Sequence, residues 1–131
     1  MSNAPKDLKY TKTHEWIKQL PDGLLEIGIT DHAQHALGDL VFVEVPEAGR
    51  VVTAGEPVAV VESVKAASDV YSPVAGEVSA GNPDLTAAPE LINTDPYGAG
   101  WMWRVKPSDA AALSQLMNAS AYEALLKLEG G

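Results

Sequence analysis

Residues 57–76 read PVAVVESVKAASDVYSPVAG, in which two apolar runs, Val58–Val61 and Val70–Val74, flank a short polar link. Two β-like runs that close on a short connection predict a hairpin. Its tip falls at or near Lys65, whose neighbours Ser63, Val64, Ala66, Ala67 and Ser68 are all small or short. Taken alone, the pattern describes an ordinary surface lysine on a turn as well as it describes a functional one.

Upstream of the hairpin, Leu40–Val45 is a β-branched run that predicts Val41, Val43 and Val45 on one face. Pro46 ends it, Glu47-Ala48-Gly49 turns the chain, and Val51-Val52 leads through Thr53–Pro57 into the hairpin. Nearer the start, Tyr10–Ile17 predicts an edge strand carrying polar residues, and Pro21-Asp22-Gly23 a turn. Leu25, Ile27 and Ile29 alternate with Glu26 and Gly28, the pattern of a half-buried strand. Thr30 or Asp31 caps a brief helix bearing Ala33, Ala36 and Leu37, with Gly38 as its stop.

Downstream, Gly76-Glu77-Val78 opens a short strand that ends at Gly81-Asn82-Pro83, and Leu85–Pro96 reads as loop. Trp101–Lys106 predicts a strand with Trp101, Trp103 and Val105 on one face. The period then changes. Ser108-Asp109 caps a helix with Leu113, Leu116 and Met117 on one stripe, and Ser120-x-x-Glu123 is a capping box ahead of Leu125, Leu126 and Leu128. Short strands divided by Gly and Pro turns predict an all-β sandwich or barrel, with a short inserted helix and helices at the C-terminus. Gly55-x-x-Val58 before the hairpin and Gly76-x-Val78 after it repeat a turn-and-strand pattern, as two similar halves meeting near Lys65 would do.

The chain has 131 residues, enough for one domain with a real core. Its formal charge is −9, from 18 acidic and 9 basic residues. Such a balance argues against nucleic acid and anionic membranes and suits partners with basic docking patches. There is no cysteine, which removes disulfides, thiol nucleophiles and thiolate metal sites, so any redox role must come from a group added to the chain. No apolar run reaches the ~18 residues of a membrane span. MSNAPKDLKY has neither a secretory core nor a transit-peptide pattern, so a cytoplasmic protein is expected, or one of the mitochondrial matrix if the chain is a mature organellar form. No Pro/Ala or Gly/Ser linker is visible, and a monomeric single domain is expected.

The usual catalytic patterns are missing. His32 and His35 lie three apart on the short helix, but neither they nor His14 have further ligands at metal spacing, and solvated helix residues are the expectation. No G-x-S-x-G elbow or glycine-rich phosphate loop occurs, and Trp16, Trp101 and Trp103 read as core. Lys65 is left. A lysine amine on a four-carbon stem is the side chain best suited to amide attachment of a carrier group, and a tight hairpin would present it rigidly. Acylation would remove its charge.

Glu62-Ser63-Val64-Lys65-Ala66, followed by Ser68–Val78, resembles the lipoyl-lysine segment of the glycine cleavage system H proteins. Thr13-His14-Glu15-Trp16, Gly28–Gln34, Leu37–Glu44, Glu90-Leu91-Ile92-Asn93 and Pro96-Tyr97-Gly98 ahead of Gly100-Trp101-Met102 resemble signatures of the same family in the same order. The likeness runs from Lys9 to Pro107. His35 departs from it, standing where an acidic or amide residue is expected, and bears on a docking surface rather than on the lysine.

The resemblance implies a flattened barrel-sandwich hybrid of the lipoyl/biotinyl type, its β core spanning residues 9–107 and a helical extension residues 108–129. It implies a non-catalytic shuttle with lipoic acid in amide linkage on Lys65, within the segment Glu62, Ser63, Val64 and Ala66. The partners implied are glycine decarboxylase, aminomethyltransferase, dihydrolipoyl dehydrogenase and the lipoate attachment enzymes. The family also parks its loaded arm in a cleft of the carrier, which by motif position would use Thr13, Glu15 and Asp69. Burying the arm's methylenes gains ~0.8 kcal/mol each, and freezing its rotors offsets much of that, leaving on the order of 1–3 kcal/mol. A lipoyl domain of a 2-oxoacid dehydrogenase is the nearest rival, but its lysine commonly follows aspartate, not valine. A biotin carrier typically flanks its lysine with methionines, where this chain has Val64 and Ala66. A lipoyl-donor role toward other proteins is compatible with the same residues.

Overall fold

The computed structural model describes residues 5–108 and 116–128. In chain order the strands and helices are β1 (Lys9–Tyr10), β2 (Glu15–Gln19), β3 (Leu25–Ile29), α1 (Asp31–Leu37), β4 (Leu40–Glu44), β5 (Val51–Val52), β6 (Pro57–Ser63) and β7 (Ala67–Tyr71). They continue with β8 (Gly76–Gly81), α2 (Asp84–Ala87), α3 (Leu91–Thr94), β9 (Trp103–Pro107) and α4 (Ala119–Leu128). A six-stranded sheet runs β1-β2-β3-β9-β8-β5, and a three-stranded sheet runs β4-β6-β7. Every pairing is antiparallel, and the two sheets do not close into one barrel.

The two apolar runs of the lysine hairpin are what anchor the small sheet. Val58, Val61, Val70 and Val74 are buried in one core with Ile27, Ile29, Leu40, Val43 and Trp103. Because side chains alternate across a strand, a one-residue slip of β6 on β7 would turn Ala59 and Val61 to solvent, while Val58 is buried next to the irregularity between Pro57 and Ala59. Each valine lost from the core would forgo about 1.5–3 kcal/mol, so the hairpin register is held firmly. A second cluster, of Leu8, Tyr10, Trp16, Ala119, Tyr122 and Leu126, lies where α4 meets β1 and β2.

Several expectations change. The segment 10–17 is no single edge strand: β1 and β2 are separate, and β2 pairs on both sides. β3 is buried along its whole length rather than on one face. Glu26 is tolerated there because Arg104 grips its Oε2 with Nε and Nη2 at 3.0 and 2.9 Å. Gly28 is needed opposite Trp16, whose ring would lie 2.7–2.8 Å from any Cβ at that position.

A bulge between Leu40 and Phe42 breaks the alternation of β4, so Leu40 and Val43 face the core while Val41 is 57% exposed. Residues 85–96 are not plain loop, since α2 and α3 bury Leu85 and Ile92 through short turns. β9 starts at Trp103, and Met102 is buried beside it; Trp101 stays half-buried, with the Arg104 guanidinium 4.1 Å over its ring.

Thr30 is the cap of α1, accepting Ala33 N–H, and Gly38 stops the helix. α4 exists, but Asn118 caps it, accepting Ala121 N–H at 2.9 Å, so Ser120 lies inside the helix. The helix expected from Ser108-Asp109 falls largely on residues 109–115, outside the described residues. The two glycines of the repeat around Lys65 differ locally: Gly55 makes a turn at φ +84, whereas Gly76 is a strand residue paired with Val52.

Candidate functional site

Lys65 is exposed at the tip of the β6–β7 hairpin, just past the last cross-strand pair, Glu62 with Ala67. The tip is held from inside by Ser63. Its N–H donates to Ala66 O at 2.8 Å, and its Oγ accepts the N–H groups of Lys65 and Ala66 at 3.1 Å each. The tip also docks outward, with Val64 N–H donating to Asp39 O at 3.3 Å in the α1–β4 turn. Glu62, Val64 and Ala66 all face solvent around the lysine.

Gly38 in that turn has φ 87° and ψ −161°, a region open essentially to glycine alone. A Cβ there would stand 3.0 Å from Lys65 Cε and 3.5 Å from its Nζ, so the bare backbone leaves the lane in which the lysine stem lies. Asn93 on α3 pins the same turn. Its Nδ2 donates to Gly38 O and Gln34 Oε1 at 2.9 Å each, and its Oδ1 accepts Leu40 N–H at 2.9 Å. Sequence reasoning did not single out Asn93 as part of the site. Its only signal was its place at the end of Glu90-Leu91-Ile92-Asn93.

At the far end of β7 a cleft of about 370 Å³ is lined by Thr11, Thr13, Glu15, Gly55, Tyr71 and Pro73, among others. Glu15 is its acid, only 2% exposed. The Thr11 hydroxyl donates to Glu15 Oε1 at 2.6 Å and the Thr13 hydroxyl donates to the same oxygen, while Tyr71 N–H donates to Oε2 at 3.3 Å. Asp69 does not line this cleft. It is exposed on β7, on the same side of the strand as Ala67 and Tyr71. It therefore lies part-way along the ~13 Å that β7 spans between tip and cleft. A larger open groove of about 700 Å³ runs past Phe42, Glu44, Pro46 and Arg50, but none of Lys65, Thr13, Glu15 or Asp69 lines it.

Burial raises the Glu15 pKa above the ordinary carboxylate value, and the hydrogen bonds from Thr11, Thr13 and Tyr71 only partly oppose the shift. The folded protein thus binds this proton more tightly than the unfolded chain. Stability is free of the penalty below the ordinary value, 4.5, and falls as pH rises from there through the raised one. Urea unfolding across this window should show that decline in the wild type and a flatter profile in Glu15→Gln, whose amide is neutral throughout. Equal slopes would mean that Glu15 is no less hydrated in the fold than in the unfolded chain.

Among the described residues no cluster of three or more His, Asp or Glu is arranged to hold a metal ion. His35 is exposed, whereas His32 packs against His14, ring centroids 4.7 Å apart, rather than being simply solvated. No helix is long and apolar enough to cross a membrane, among the described residues.

A family model described as glycine cleavage H-protein matches residues 8–129. The chain belongs to the glycine cleavage H-protein family. It is 57% identical to the glycine cleavage system H protein of Halorhodospira halophila over 130 residues, 99% of this chain and 100% of the relative. It is 55% identical to that of Cronobacter sakazakii over 129 residues, 98% of this chain and 100% of the relative. The crystal structure of a glycine cleavage system H protein from Mycobacterium marinum superimposes with a TM-score of 0.85 at 43% identity, covering 97% of this chain and 99% of that one. The shared fold is the lipoyl-type barrel-sandwich hybrid. H proteins carry lipoate and serve as the non-catalytic shuttle of the glycine cleavage system, so an enzymatic active site is not to be sought in this chain.

Proposed function

We propose that Lys65 is the lipoyl attachment residue of this H protein and that the Thr13–Glu15 cleft is the resting place of its arm. The observation that carries the reading is the exposed lysine on a hairpin tip docked to the Gly38–Asp39 turn, with the acid-containing cleft at the other end of the same strand. The residues present fit such a group. Ser63 holds the tip rigid for the attachment enzyme, Gly38 leaves room for the stem, and Thr13 and Glu15 offer polar contacts at the cleft.

Lipoate, when bound, supplies the disulfide that a chain without cysteine lacks, and with it a site for the aminomethyl group and for reducing equivalents. An ionised Glu15 favours a protonated amine brought near it, and exclusion of bulk water strengthens that attraction. Asp69 adds a second carboxylate on the way. The carrier so built serves glycine decarboxylase, aminomethyltransferase and dihydrolipoyl dehydrogenase in turn, after modification by the lipoate attachment enzymes. We place it in the bacterial cytoplasm as a single, monomeric carrier domain whose acidic surface meets basic partner surfaces.

Intact mass and peptide mapping of protein from a lipoate-replete host test the assignment. A lipoyl adduct on Lys65 is the expected result. An adduct on another lysine, a biotin adduct or an unmodified chain overturns it.

A further inference from the structure

Tyr122 of α4 is fully buried, its ring stacked on Tyr10 with centroids 4.6 Å apart and planes 9° from parallel. Its hydroxyl lies 2.8 Å from His14 Nδ1 and 2.7 Å from Thr30 Oγ1. A phenol donates one hydrogen bond and accepts another, so it can serve both partners at once.

Each of those partners controls one end of the arm's path. His14 sits between Thr13 and Glu15 with φ +71°, a left-handed conformation that no other non-glycine residue adopts among the described residues. Such a conformation is costly for histidine and persists only where its surroundings hold it. His14 O also accepts Thr30 N–H at 3.0 Å. Thr30 in turn caps α1, its Oγ1 accepting Ala33 N–H at 3.2 Å, and α1 ends at Gly38 beneath the Lys65 stem. One hydroxyl thus joins the turn that carries Thr13 and Glu15 to the helix that leads to the attachment point.

We infer that Tyr122 is a positioning residue for the arm cleft: its hydroxyl holds the Thr11–His14 turn against the cap of α1, so that Thr13 and Glu15 keep their places relative to Lys65. The inference rests on reading that cleft as the resting place of the arm. It gives α4 a part in the lifetime of the loaded carrier, although α4 supplies none of the cleft's lining.

Tyr122→Phe removes the hydroxyl and keeps the stacked ring. Three measurements on the full chain read its effect. The first is the amide resonance of Tyr71, which reports the bond to Glu15 Oε2 and lies outside direct contact with the Tyr122 hydroxyl. The second is the extent of lipoylation by mass. The third is hydrolysis of the aminomethyl-loaded carrier, in which water cleaves the sulfur–carbon bond and the products are free thiol, formaldehyde and ammonium.

We expect the Tyr71 resonance to move, hydrolysis to rise about two- to tenfold, the range that loss of one hydrogen bond supports, and lipoylation to be unchanged. Leu126→Ala, which loosens α4 but keeps the hydroxyl, should lower the melting temperature and leave hydrolysis near wild type. A Tyr122→Phe rate equal to wild type, with Glu15→Ala faster, overturns the role of Tyr122 and leaves the cleft standing. A Glu15→Ala rate equal to wild type overturns the cleft reading and this inference together. Equal acceleration in Leu126→Ala and Tyr122→Phe reduces the effect to general loosening and overturns the inference as well.

Discussion

Lys65→Arg is expected to abolish lipoylation and, with it, glycine–bicarbonate exchange in the presence of glycine decarboxylase, while the protein folds normally. Arginine preserves the charge, but its guanidinium stays protonated above pH ~12 and offers no free amine for an amide bond. The position is exposed at a turn whose geometry comes from Ser63 and Asp39 through backbone contacts, not from the lysine side chain. Stability should therefore stay within about 0.5 kcal/mol of wild type, the usual range for a surface change. Thermal unfolding and intact mass check the two halves of this statement. Residual exchange at more than background level in Lys65→Arg would falsify the assignment of the lysine, because the group would then have to be carried by another residue.

Asn93→Ala should both destabilise the fold and slow modification of Lys65. It deletes three hydrogen bonds, two that hold residues 38–40, to Gly38 O and Leu40 N–H, and one to Gln34 Oε1 on α1. At 0.5–1.5 kcal/mol each, less what water restores at a half-buried site, the loss is about 2 kcal/mol, or on the order of 5–10 °C in Tm. The functional part follows from the tip's backbone bond to this turn, Val64 N–H to Asp39 O, which lies in the freed segment. Lipoylation should slow several-fold even well below the melting temperature. Asn93→Asp makes the distinction sharper. Its carboxylate keeps the bond to Leu40 N–H but turns an oxygen on Gly38 O, which cannot rotate away as the Gln34 amide can. If both variants melt early yet are lipoylated at the wild-type rate, the tip is held by Ser63 alone and the Asn93 clamp is purely structural.

The lysine hairpin was legible because its information is local. Val58–Val61 and Val70–Val74 are apolar runs on either side of a short polar link, and the small residues between them permit a tight turn. The same logic failed for Leu40–Val45, where one extra residue in the bulge at Leu40/Phe42 reverses the expected face of Val41. It failed again for residues 84–94, whose helices are four residues each, too short to display a 3.6-residue period. Ser120 met the capping pattern as well as Asn118 could, and only the helix start at Ala119 distinguishes them. Motif position groups Thr13, Glu15 and Asp69; in the fold Thr13 and Glu15 line one cleft, while Asp69 is exposed on β7 outside it.

Local pattern and motif order were thus enough for the class of fold, the tip that bears Lys65 and the family to which the chain belongs. The packing around that tip was not recoverable in the same way. Asn93 reaches Gly38 across 55 residues, Tyr71 N–H reaches Glu15 across 56, and the Tyr122 hydroxyl reaches His14 across 108. Each contact needs a polar atom placed to within a few tenths of an ångström. That placement is set by how the two sheets and α4 bury their apolar faces together, a property of the assembled core that no window of sequence contains.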